Sequence, residues 1–143
     1  LLELREAIAP DVAAYAAQRA TTGDLSALVD CLKELERNEA SSQFEELNRR
    51  FHDMLGWASG NPLFGLLTSA LHMLTRKFSL SLGYSAQERA VQLRFLRRVL
   101  EAVRKGDAEG ARQSMARLVA GSASYLAERR PELVSQKVKW GQT

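Results

Sequence analysis

The chain holds a single cysteine, Cys31, so it forms no internal disulfide. One thiol fits a reducing compartment, and its place in an apolar helical pattern reads as a small buried hydrophobe. Three prolines and nine glycines in 143 residues leave few interruptions, which favours long regular elements over a loop-rich fold. No stretch alternates apolar and polar positions with β-branched residues, so strands are not expected. The most apolar run, from Asn61 to Thr75, is broken by polar residues and is too short to cross a bilayer. No basic leader followed by an apolar run opens the chain, so no export signal is read and a cytoplasmic location is expected.

Chemistry is also sparse. Two histidines and one cysteine are few donors for zinc, which takes three or four ligands. There is no glycine-rich phosphate loop and no Gly-x-Ser-x-Gly elbow, and the carboxylates sit mostly at helix ends and outer faces. An enzyme is not expected. The net charge of +3 comes from scattered basic pairs, Arg49/Arg50, Arg76/Lys77, Arg97/Arg98 and Arg129/Arg130. A nucleic-acid reader needs its cations gathered on one surface, so direct DNA binding by this segment is not expected.

What is present is helical periodicity, in a chain that is 45% hydrophobic and 26% charged. Leu4, Ile8, Val12 and Ala16 form a first stripe, ended by Ala-Thr-Thr-Gly-Asp. Thr22 or Asp24 is the expected cap of a second helix carrying Leu25, Leu28, Leu32 and Leu35. Ser41 or Ser42 is the expected cap of a third, with Ser42 and Glu45 in capping-box spacing. Its stripe is Phe44, Leu47, Phe51, Met54 and Ala58, and Ser-Gly-Asn-Pro closes it. Pro62 opens a fourth helix, expected to run to about Leu82. Ser85 with Glu88 starts a fifth, and Asp107 caps a sixth after Lys-Gly-Asp. Short connections make neighbours antiparallel. The fold class is therefore all-α, an antiparallel bundle of six to seven helices, with residues 131–143 as a tail or one more short helix.

A few polar side chains stand where apolar ones are expected. Asn48 and His52 are four residues apart and project from one helix face beside the Phe44 stripe. Such a pair is used to hold metals, and it also occurs as hydrogen-bonded core or rim residues. His72 lies among Leu71 and Leu74, with no partner assignable from spacing. Arg5, beside Leu4 and Ile8, offers a planar fork that grips carboxylates, or it pairs with Glu3 or Glu6.

Three stretches, Leu1–Leu28, Asn48–Phe64 and Leu100–Val119, together resemble the C-terminal effector-binding and dimerisation domain, the FadR C-terminal-type or FCD bundle, of GntR-family transcription regulators. The first has the family's Leu-x-x-x-Arg opening, the second its Phe-His-x-x-Leu and Ser-Gly-Asn-Pro-Leu motif, the third its Gly-Asp-Ala-x-x-Ala turn. The resemblance spans about residues 1–127. It implies a bundle around a small-molecule pocket, following a winged helix-turn-helix that binds operator DNA. That domain is absent from this chain, which begins at Leu1, and is expected upstream in a full-length protein.

Many members of the family hold a divalent metal through an Asp, a His four residues on, and two later histidines. Here the Asp position is Asn48, the first His is kept as His52, and the later two fall on Leu96 and Leu118. The resemblance thus implies a degenerate metal site, with no divalent metal expected as cofactor. Residues 1–130 are expected to be an effector-binding and dimerisation domain acting as a homodimer. Arg5, Asn48, His52, Leu96 and Leu118 are its candidate effector-binding residues. Operator DNA would be reached only through the missing domain, and no membrane partner is expected. The alternative is a stand-alone helical interaction module without an effector.

Overall fold

Helix ends in this chain are set by side-chain oxygens that satisfy the free N–H groups of each first turn. The computed structural model describes residues 2–78, 83–129 and 131. Among them are six helices: α1 (Leu2–Arg19), α2 (Thr22–Arg37), α3 (Phe44–Ala58), α4 (Pro62–Phe78), α5 (Ala86–Lys105) and α6 (Ala108–Arg129). The all-α expectation holds. The seventh helix or tail lies outside the described residues, as does the expected extension of α4 beyond Phe78.

The cap of α2 is Thr21, one residue ahead of the expected Thr22. Thr21 Oγ1 accepts from Asp24 N–H at 3.1 Å while Asp24 Oδ2 accepts from Thr21 N–H at 2.9 Å. A capping box needs its hydroxyl three residues before its carboxylate, and only the Thr21/Asp24 pair meets that here. Neither serine caps α3. Gln43 takes the cap position without a side-chain bond, because residues 38–43 already wind as turns that run into the helix, Ser41 N–H donating to Asn38 O and Phe44 N–H to Ser41 O. Ser85 and Asp107 cap α5 and α6 as expected, accepting from Glu88 N–H at 3.1 Å and Gly110 N–H at 2.9 Å. Gly106 ends α5 with φ +72°, a left-handed backbone that glycine adopts without a Cβ clash.

Packing follows from which faces are apolar. The buried Ala13, Ala14 and Ala16 give α1 a small-residue face that lets it lie close along α6, where Asp11 pairs with Arg112. Helix α5 packs on α6, α2 on α3 and α5, and α1 also meets α3 and α5. Phe44, Phe51, Leu28, Leu96 and Leu118 fill the centre between them. Across the α2–α3 connection, Arg89 donates from Nη1 to the carbonyls of Glu39 and Ser41 at 2.8 Å each and stacks over the Phe44 ring. Cys31 is buried, and burial pushes its thiol up to about 11, as expected of a packing residue.

Helix α4 differs: its main packing partner is α3. Tyr15 of α1 stacks on Phe64 with ring centroids 5.6 Å apart, which fixes the rotation of α4. No helix among the described residues is long and apolar enough to cross a membrane. Leu28 is wholly buried at the centre, so Leu28→Ala should cost about 2–5 kcal/mol, read as a lower urea midpoint with an unchanged slope.

Candidate functional site

The α3 helix is buried on two sides, and only one of them is apolar. Phe44, Phe51 and Leu55 enter the core, while Asn48 and His52 turn towards α1 and α4. A cavity of about 80 Å³ lies there. Its floor is Asn48 and His52, its rim carries Arg5 and Arg49, and Met115 and Leu126 of α6 close an apolar wall.

Asn48 and His52 are each only 6% exposed. Asn48 Oδ1 and His52 Nε2 nevertheless have no hydrogen-bond partner among the described residues. Each such atom costs about 1–3 kcal/mol when left unmet in a protein interior. Burial holds His52 well below the usual 6.5 of imidazole, and the Arg5 charge and His72 push the same way. A neutral imidazole and an amide oxygen therefore face a cavity whose rim carries two guanidinium groups.

The neighbouring elements fix the remaining polar groups. His72 of α4 donates from Nδ1 to Asp53 Oδ1 at 2.6 Å, joining α4 to α3. Its ring lies edge-on to His52, with centroids 6.0 Å apart. Tyr84 is set by Tyr125 of α6, whose hydroxyl accepts from Ser85 N–H and donates to Gly83 O, gripping the backbone on both sides. Burial pushes the Tyr84 hydroxyl above its usual 10, opposed by the charge of Arg5 and by hydrogen bonds with Ser122 and Arg5. Glu45 also reaches the cavity and accepts from Gly83 N–H at 2.9 Å.

Residues 1–121 match the FCD domain. The chain belongs to the FCD domain family. It is similar to the galactonate operon transcriptional repressor of Escherichia coli (strain K12), 27% identical over 128 residues that cover 88% of this chain and 56% of that protein. Its fold matches Streptococcus agalactiae GntR with a TM-score of 0.71 at 22% identity, covering 86% of this chain and 56% of that one. The chain thus spans about half the length of these relatives. An FCD domain is a regulatory and not a catalytic module, with a general ligand-sensing and dimerisation role in GntR-type regulators.

Three of the five expected site residues, Arg5, Asn48 and His52, meet at this FCD cavity. Leu96 and Leu118 do not. They sit in the core at 0% and 1% exposure and are not among the residues lining the cavity. A leucine at either position gains more from packing with Phe51 and Val99 in the core than from facing a polar cavity. Periodicity missed His72, Tyr84, Met115 and Asp53 as a group. The Asp53–His72 contact joins residues on two helices 19 positions apart, and Tyr84 sits in a helix break where spacing carries no directional signal. Met115 is buried on α6 among core residues, and spacing does not separate a cavity wall from core there.

Among the described residues no three His, Cys, Asp or Glu side chains are grouped to hold a metal. Asn48 supplies only a neutral amide, and Asp53 is engaged by His72.

His52 also makes stability depend on pH. Its folded pKa lies below the unfolded 6.5, so below that pH the unfolded chain binds a proton the folded chain refuses, and stability falls as pH drops. The loss should set in as pH falls through 6.5 and grow until the lower folded pKa is passed. Urea denaturation of the wild type and His52→Gln at pH 7 and pH 5 should show this component only in the wild type. Equal losses in both would refute it.

Proposed function

We propose that this FCD domain is the sensor of a cytoplasmic GntR-type regulator, taking a small carboxylate with some hydrocarbon character into the cavity without a divalent metal. The observation that carries this reading is the pair of orphaned buried atoms, Asn48 Oδ1 and His52 Nε2, facing one cavity. A ligand hydroxyl donating to Asn48 Oδ1, and a second polar group meeting His52 Nε2, would remove that cost. Arg5 at the rim supplies positive charge and a planar fork for a carboxylate, while Arg49 beside it is paired with Glu46 at 3.0 Å. Ile8, Val12 and Leu71 add apolar wall, which suits the hydrocarbon part. A relative named for a galactonate operon supports a small organic acid as the effector class.

In a full-length protein the ligand would shift the population of two dimer arrangements and so reposition upstream winged helices on operator DNA. A purely structural interaction module gives no reason for two unmet polar atoms to line the same cavity.

The test is a thermal-shift screen of small hydroxy- and keto-carboxylates in excess EDTA. A true effector at a hundred times its Kd stabilises by about 2.7 kcal/mol, a rise of several degrees in Tm. Arg5→Met and Asn48→Leu should each abolish the rise. A shift that vanishes in EDTA and returns with added metal would refute the metal-free reading.

A further inference from the structure

Behind the cavity, a line of buried polar side chains runs from α5 to Tyr84. Gln92 of α5 and Ser122 of α6 are both fully buried. Gln92 Nε2 donates to Ser122 Oγ at 2.8 Å and to Glu88 Oε1 at 3.1 Å, so both of its amide protons are used. Gln92 Oε1 is left without a partner among the described residues. The opposite amide orientation would set that oxygen against the Glu88 carboxylate, which only accepts. The direction of the line is thereby fixed.

The same reasoning carries it on to Tyr84. Ser122 Oγ already receives a proton from Gln92, so its own proton goes to the Tyr84 hydroxyl beside it. Arg5 reaches the same oxygen from the rim and can only donate. The Tyr84 oxygen therefore receives from two sides, which polarises its O–H and strengthens it as a donor. Tyr84 is itself part of the cavity wall, and its ring is held in place. It packs on Tyr125 with centroids 5.3 Å apart, and Tyr125 bonds the backbone on both sides of it.

We propose that Tyr84 determines which ligand the cavity accepts, its hydroxyl donating to a carboxylate oxygen that Arg5 grips from the rim. Ser122 and Gln92 are positioning residues, acting through Tyr84 without touching the ligand. The cavity then has two unlike ends. At one, Arg5 and the Tyr84 O–H donate; at the floor, Asn48 Oδ1 only accepts. A hydroxy monocarboxylate matches both ends. A dicarboxylate brings an acceptor to each, and sets one against the Asn48 oxygen. The proposal rests on the reading of this cavity as a carboxylate sensor.

The test is isothermal titration calorimetry of the chain with lactate, 3-hydroxypropionate, galactonate and malonate, the last being the dicarboxylate that corresponds to 3-hydroxypropionate. At least one hydroxy acid should bind the wild type, and malonate should bind more weakly than it. Tyr84→Phe keeps the ring on Tyr125 and should weaken that hydroxy acid about 10- to 100-fold, what one hydrogen bond to a charged group is worth. Ser122→Ala should weaken it less, and the double variant no more than Tyr84→Phe alone. All three variants should keep the wild-type circular dichroism. Undiminished binding by Tyr84→Phe, additive losses in the double variant, or malonate binding as tightly would each overturn the Tyr84 assignment and leave the sensor reading standing. If no hydroxy acid binds the wild type, the sensor reading itself fails, and the role of Tyr84 with it.

Discussion

Much of the structure depends on α3 having to satisfy two environments at once. Its apolar side is used in full by Phe44, Phe51 and Leu55, so the helix cannot rotate to bring Asn48 and His52 to solvent. Those two side chains are carried inside by the packing of their neighbours, and two of their polar atoms find no partner there. Other groups nearby are matched: Asp53 takes His72, Tyr125 takes the backbone on either side of Tyr84, and Glu45 takes Gly83. Two buried polar atoms outside the cavity, Arg89 Nε and Gln92 Oε1, are also without a partner among the described residues; what sets Asn48 and His52 apart is that both line one cavity.

The position of α4 follows from the same constraint. It closes the cavity with Thr68, Leu71 and His72 and is joined to α3 through Asp53. Its other side carries the exposed Leu63, Leu66 and Met73. One helix therefore stands between the buried polar wall and the surface.

Most of the fold was legible because helix punctuation is local. Ser85, Asp107, Pro62 and Gly106 each act within four residues of where they stand, so sequence spacing finds them. The α2 and α3 caps were misplaced where that locality fails. Thr21 won over Thr22 through its reciprocal bond with Asp24, and Ser41 serves a turn and its carbonyl serves Arg89, a residue 48 positions away. The site was legible only in part. Asn48, His52 and Arg5 stood out as polar residues on apolar stripes, whereas Leu96 and Leu118 were placed by resemblance and belong to the core. His72 and Tyr84 gained meaning only when α4 and the α4–α5 connection came to lie beside α3, which no spacing rule reports.

The most direct test of the central claim, that this pocket takes an organic ligand without a metal, is native mass spectrometry of the protein purified without chelator. A species free of metal, carrying an organic adduct that Asn48→Leu removes, is the expected result. A stoichiometric divalent metal that His52→Gln removes would contradict the account.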